Sequence, residues 1–171
     1  GVPGLALRKE RVANGDGARL LGYSTDWSAA VKDASSADLV MVLDQTLTDA
    51  EATLVSGAAA VVVLGTLQSQ ELPAAQIVLP ITNLAEENGT FVNRDLRVQR
   101  YQQARSAPGM ARPAWWIAAR AASARGTAPA TAAEAFAAVA AMIPSLAGMR
   151  YADLGLNGRA VSVPVPAHAG A

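Results

Sequence analysis

Apolar positions in this chain fall into short runs separated by turn formers, and the first runs have the length of strands. Asp38–Asp44 (DLVMVLD) is an apolar stretch bounded by acids, the pattern of a strand covered on both faces. Thr46–Val55 reads as a short helix, with Thr48 and Glu51 at capping-box spacing and Gly57 as the stop. Ala59–Leu64 (AAVVVL) is a second buried strand, and Gln76–Leu79, closed by Pro80, is a third. Strand, helix and strand with short connections predict a right-handed βαβ unit, and hence an α/β fold with a Rossmann-like parallel sheet flanked by helices.

Further along, Ala114–Arg125 (AWWIAARAASAR) follows Pro113, stops at Gly126 and reads as a helix. Thr131–Ile143 is another, stopped by Pro144, with Phe136, Val139 and Ile143 recurring at three and four to give one buried stripe. Residues 1–27 carry five glycines without a sustained period. The expected organisation is a loop-rich first segment over 1–37, an α/β domain over 38–126, and a C-terminal helix with an extended tail over 127–171. From Leu154 onward the chain reads as extended and turn-rich, and its VSVPVP alternates like an edge segment in which prolines block further pairing.

Composition narrows the chemistry. Hydrophobic residues make up 51% of the 171 positions but aromatics only 5%, so the core is expected to be thin and alanine-rich, with partner surfaces completing its burial. Net charge is +0, which gives no chain-wide field for nucleic acid or an anionic membrane. Cysteine is absent, which excludes thiolate iron-sulfur ligation, thiol catalysis and disulfides within this sequence. The single histidine, His168, stands in the tail PVPAHAGA, where a base is poorly held for catalysis. No run reaches the roughly 18–20 apolar residues that a membrane span requires. The first residue is Gly with no signal-like segment before it, and the chain is expected to be a piece of something longer.

Candidate chemistry is sparse. Glu86 and Glu87 are the only adjacent acids, and neighbours in sequence are expected to point apart and be solvated. Asn88-Gly89 is a turn signal, since both residues tolerate positive φ. Gly15, Gly17 and Gly22 follow no clear strand and do not match a phosphate-binding loop. Asp38 and Asp44 are expected to cap or be solvated rather than hold a metal. No catalytic residue and no metal ligand is assigned. Charge is segregated: residues 94–125 hold seven arginines (94, 97, 100, 105, 112, 120 and 125) against Asp95 alone, while residues 1–60 hold eight acids against five bases. Those arginines either dock on an acidic or phosphate-bearing partner or are solvated and paired with the acidic half. The adjacent Trp115 and Trp116 point about 100° apart on a helix, so one can enter the core while the other meets a neighbour.

One ordered set of motifs resembles a known group. Val78-Leu79-Pro80, then Glu86 and Gly89-Thr90-Phe91 with Asn93 in a loop, a strand with Arg97-Val98-Gln99, a Pro108-Gly109 turn, and Ala111-Arg112-Pro113 before Trp115 and Trp116 are similar to the signature of the molybdopterin oxidoreductase superfamily. Asp95 and Leu96 depart from it, standing where the superfamily commonly shows Glu and Gly. Pro144, Leu146-Ala147-Gly148, Tyr151 and Leu154-Gly155 resemble the end of the large iron-sulfur subunit of NADH-quinone oxidoreductase (complex I).

That resemblance implies a structural, cofactor-free C-terminal segment of the large iron-sulfur subunit, with iron-sulfur clusters in an N-terminal part outside this sequence. Its partners would be that N-terminal part and other subunits of the peripheral arm, with no nucleic acid, on the cytoplasmic face of the membrane. The alternative is the pterin-binding segment of a molybdenum or tungsten oxidoreductase such as a formate dehydrogenase, with Asn93, Arg97 and Gln99 lining the cofactor pocket. A third reading is a free-standing domain whose arginines grip an anion.

Overall fold

A computed structural model describes residues 14–67, 72–123 and 127–161. The tail beyond Val161, with His168 and the VSVPVP run after its first residue, lies outside them, as do Arg125 and the Gly126 stop. Two helices come first, α1 (Gly15–Leu20) and α2 (Trp27–Ala34). Both fall in the stretch expected to be loop-rich, and so correct that expectation. α2 begins at Asp26, whose side chain accepts from the Ala29 amide at 3.0 Å. It turns Val31 inward and rests Ala34 on the apolar cluster of Val42, Val55, Val61 and Val63. The Trp27, Ala30, Val31, Ala34 spacing is helical, a signal that the glycines of the preceding residues obscured.

The expected parallel sheet follows: β1 (Val40–Leu43), β2 (Val61–Gly65) and β3 (Ile77–Pro80) pair side by side in chain order. Register runs Val42 against Val63 and Leu64 against Leu79. Between β1 and β2, α3 (Asp49–Val55) is set by the expected capping box: Thr48 accepts from the Glu51 amide, and the Glu51 carboxylate accepts from the Thr48 amide at 2.8 Å.

A second sheet, antiparallel, comes next. β4 (Gly89–Val92) pairs with β5 (Arg97–Tyr101), which pairs with β6 (Arg159–Ala160). The stretch Gly89-Thr90-Phe91 expected as a loop is therefore a strand. The reversal lies at residues 93–96, and not at Asn88-Gly89: neither of those has positive φ, whereas Leu96 sits at φ 55. The superfamily's glycine at that place has a physical reason, because the left-handed region costs a side chain about 1–2 kcal/mol. Leu96 holds it while packing on the second core. Gly89 is needed for space instead, since an added Cβ would collide with the Tyr101 phenol.

That second core joins Val92 and Val98 of the hairpin to Phe136 and Ala140 of a helix over Ala132–Met142, and to Leu146 and Leu154. Thr131 caps that helix, Pro144 ends it, and Phe136, Val139 and Ile143 form the expected stripe. Each fully buried Val or Leu contributes about 1.5–3 kcal/mol. The remaining helix, Ala114–Ala122, buries neither tryptophan fully: Trp115 leans toward this core, and Arg120 stacks over Trp116 at 4.9 Å.

Two further expectations change. β1 is not covered on both faces, because Met41 and Leu43 are exposed. The tail from Leu154 is extended only in part: Leu154 closes a 3-10 turn, Tyr151–Leu154, and is one of the most buried residues.

Candidate functional site

Three clusters of polar side chains merit a functional reading. The first holds Asn93, Arg97 and Gln99, the residues assigned to a pterin pocket in the alternative reading. The reversal of the β4–β5 hairpin brings them together. Asn93 Oδ1 accepts from the amides of Asp95 at 2.9 Å and Arg97 at 3.0 Å, while its Nδ2 donates to Gln99 Oε1 at 2.9 Å. The Arg97 guanidinium donates to the carbonyls of Asn157 and Gly158, both at 2.8 Å. An anionic dinucleotide cofactor needs donors directed at its phosphates and ring edges. Here Asn93 Nδ2 and the Nε and Nη2 of Arg97 are aimed at the chain itself, which counts against these two donors as holders of the group.

The second cluster surrounds the acidic pair. Glu86 and Glu87 do point apart, as expected, but neither is simply solvated. Asn83 caps a 3-10 turn, Leu84–Glu86, and the buried Glu86 carboxylate accepts from the Asn83 amide at 3.1 Å. Glu86 Oε1 also receives Nε of Arg105 at 2.9 Å and its Nη2. The Asn83 amide first, and then the Arg105 guanidinium, hold the Glu86 carboxyl below the usual range. Glu87 accepts from the Tyr101 hydroxyl at 2.8 Å and from the Thr82 hydroxyl at 2.6 Å. Burial first, and then this bond to Glu87, raise the Tyr101 phenol above its ordinary value. Together these bonds clasp residues 82–87 to 101–105. Proton chemistry needs a carboxylate that faces a substrate, and both are taken up inside the clasp.

The third cluster lies at the carboxyl ends of the parallel strands, where open α/β sheets take their ligands. Asp44 ends β1 at φ 47, and its Oδ1 accepts from the Thr66 amide at 2.9 Å and the Thr66 hydroxyl at 2.7 Å. Residue 112 joins the edge beyond β3 through a bridge to Ile81, with the Thr82 amide donating to the Arg112 carbonyl at 3.2 Å. Asp44 therefore ties two strand ends, a more specific job than the capping or solvation expected of it. Asp38 is exposed. Among the described residues no three His, Asp or Glu side chains converge as a metal site. Thr66, Tyr101 and Arg105 carry no signal in the sequence, because their partners lie 14 to 22 residues away along the chain.

The arginine stretch has varied work. Arg97 holds carbonyls, Arg105 pairs with Glu86, Arg100 lies 5.9 Å from the Tyr151 ring, and Arg112 donates to its neighbour's carbonyl at 2.8 Å. Arg94 is exposed beside Asp95. None of these contacts runs to the acidic first sixty residues. Gly15 and Gly17 are buried in α1, where a Cβ at residue 17 would strike the Asn14 side chain, so packing and not phosphate binding explains that glycine. An apolar cavity of about 230 Å³ lies beside the second core, lined by Phe91, Val98, Trp115, Phe136 and Tyr151 among others.

Comparison with known proteins bears on the whole. Residues 8–124 match the molybdopterin oxidoreductase family. The alpha subunit of F420-dependent formate dehydrogenase 2 from Methanococcus maripaludis is 41% identical over 88 residues, which cover 49% of this chain and 13% of that protein. The alpha subunit of F420-dependent formate dehydrogenase 1 from the same organism is 36% identical over 88 residues, with the same coverage. The matched part is thus a small share of these relatives' length. With the βαβ unit, the Val78-Leu79-Pro80 strand end and the Arg97-Val98-Gln99 strand all inside the matched region, this chain belongs to the molybdopterin oxidoreductase family.

Proposed function

We propose that this chain is a segment of the large subunit of a molybdenum- or tungsten-dependent oxidoreductase of formate dehydrogenase type. In that role it frames the redox centre and supplies no reacting group. The observation that carries the reading is the 41% identity over 88 residues with a formate dehydrogenase alpha subunit. The inward engagement of Asn93, Arg97, Glu86 and Glu87 supports a framing role, with the cofactor held by other parts of the longer subunit. The test is metal analysis of the intact subunit together with formate-dependent reduction of a dye. Stoichiometric molybdenum or tungsten with formate turnover is expected. Iron without either metal, and no formate turnover, would discard it.

A second reading, a scaffold within the large iron-sulfur subunit of complex I, is favoured by one observation. The run from Pro144 to Gly155 that resembles the end of that subunit lies beyond the residues matched to the family, and its Leu146 and Leu154 are core residues. In that reading the neighbours are the other peripheral-arm subunits at the cytoplasmic face of the membrane, and NADH-dependent quinone reduction without molybdenum or tungsten is the outcome that would support it.

A further inference from the structure

Asparagine is followed by glycine at Asn14-Gly15, Asn88-Gly89 and Asn157-Gly158, whereas Asn83 and Asn93 are followed by Leu and Arg. The Asn-Gly pair is chemically labile. With no side chain on the second residue, its main-chain nitrogen can reach the asparagine Cγ and close a succinimide ring, provided that the asparagine side chain is able to turn toward it. The fold decides which of the three pairs has that freedom.

Two of them are held. Asn14 Oδ1 accepts from the Val92 amide at 2.8 Å, its side chain fills the space over Gly17, and Gly15 is buried as the first residue of α1. Asn88 Oδ1 accepts from the Gln103 amide at 3.0 Å, and Gly89 is fixed in β4 beneath the Tyr101 phenol. Turning either side chain onto the next nitrogen would break a bond that ties distant parts of the chain. Asn157 differs. It is exposed between the 3-10 turn Tyr151–Leu154 and β6, and its side chain makes no hydrogen bond among the described residues. Arg97 grips the carbonyls of Asn157 and Gly158, both at 2.8 Å, and leaves the side-chain amide alone. Nor can the fold dispense with the glycine that makes this pair labile: Gly158 sits at φ 65, and an added Cβ would collide with the Val98 carbonyl.

We infer that Asn157-Gly158 is a modification site, where the native protein deamidates through a succinimide while its other two Asn-Gly pairs are protected. The Gly158 nitrogen attacks Asn157 Cγ, the new N–Cγ bond forms, the Cγ–Nδ2 bond breaks, and Nδ2 leaves as ammonia with the proton of the Gly158 amide. Water then opens the ring. Opening at Cγ leaves an aspartate, and opening at the main-chain carbonyl carbon leaves an isoaspartate, whose main chain runs through Cβ and Cγ and is one carbon longer. In the isoaspartate the carbonyl that accepts from Arg97 Nε becomes a free carboxylate. The extra carbon enters the chain one residue before β6, which pairs with Arg97 and Val98 of β5. Since Val98 belongs to the second core, the modification acts on the register of a strand paired with that core.

Peptide mapping by mass spectrometry of the intact subunit, aged in mildly alkaline buffer with and without urea, tests this. Loss of ammonia and gain of water raise a peptide's mass by about 1 Da. In native buffer the Asn157 peptide is expected to gain this mass at least about tenfold faster than the Asn14 and Asn88 peptides, and in urea the three rates should agree within about threefold. Labelling of the native Asn157 peptide by isoaspartyl methyltransferase is expected alongside. Native reaction of Asn14 or Asn88 at the rate of Asn157 would overturn the inference. So would an Asn157 peptide that reacts in urea but stays unmodified in native buffer, since that places the pair under cover. A lead for Asn157 that persists in urea would assign the preference to its neighbours in sequence rather than to the fold, and would overturn it as well.

Discussion

Leu154 and Leu156 are the same residue two positions apart, and the structure separates them sharply. Leu154 is 1% exposed, closing the turn beneath β5 against the core of Val98, Phe136 and Leu146, whereas Leu156 is 95% exposed. Leu154→Ala removes about three carbons from that core, worth roughly 2.4 kcal/mol at ~0.8 kcal/mol per buried methylene. The cavity left behind raises the cost to about 3–4 kcal/mol, within the usual range for buried Leu→Ala changes. Leu156→Ala should stay within about 0.5 kcal/mol. Urea unfolding followed by tryptophan fluorescence measures both. With a urea dependence of about 1–3 kcal/mol per molar, the Leu154→Ala midpoint should fall by roughly 1–4 M while that of Leu156→Ala barely moves. Since domains are commonly stable by only ~5–15 kcal/mol, outright unfolding of Leu154→Ala is within the expected range. Equal shifts for the two variants, or a loss below about 1 kcal/mol at Leu154, would refute the assignment of this turn to the core.

Four other outcomes are expected. Gly89→Ala should destabilise by about 1–3 kcal/mol through the Tyr101 phenol, and pairing it with Tyr101→Ala in a double-mutant cycle should recover most of that; additive losses would speak against the contact. Arg97→Ala should cost about 1–2 kcal/mol by releasing the carbonyls of Asn157 and Gly158, yet leave the metal content of the intact subunit within twofold, and a loss of bound metal at unchanged stability would return Arg97 to the cofactor. The Trp27 indole first, and then the Thr48 amide and hydroxyl, hold the Glu51 carboxyl below its ordinary 4.5. Its stabilisation is therefore complete above that value and lost as pH falls through the lower folded one, and Trp27→Phe should move the Glu51 midpoint upward in an NMR titration, an unmoved midpoint counting against the bond. Tyr101, raised from 10 mainly by burial, should ionise later than an ordinary tyrosine in an ultraviolet titration; its contribution is full below pH 10 and lost above it, and Glu87→Gln should bring the midpoint down.

The legible elements are those written in local pattern. Thr48 and Glu51 announce their helix, Pro144 its helix stop, and the runs at Val40–Leu43, Val61–Gly65 and Ile77–Pro80 their strands. The expectations that the structure corrects share a cause. Residues 15–34 resemble loop in sequence because glycine count outweighs a helical spacing that begins only at Trp27. Gly89 resembles a turn residue, but its smallness answers a tyrosine twelve positions on. Nor does a sequence show that the carbonyls of Asn157 and Gly158 lie under the Arg97 guanidinium.

Residue order alone was enough for the βαβ succession, the helix caps and the absence of thiol chemistry, because caps, alternation and residue type act within a few positions of one another. Which polar groups face each other, and which apolar face stays bare, came from the packed fold. Asp44 meets Thr66, Glu86 meets Arg105, and Met41 aligns with Val62 and Ile77 through strand register and chain reversal. Those pairings depend on distances set by packing across tens of residues, which no local pattern encodes.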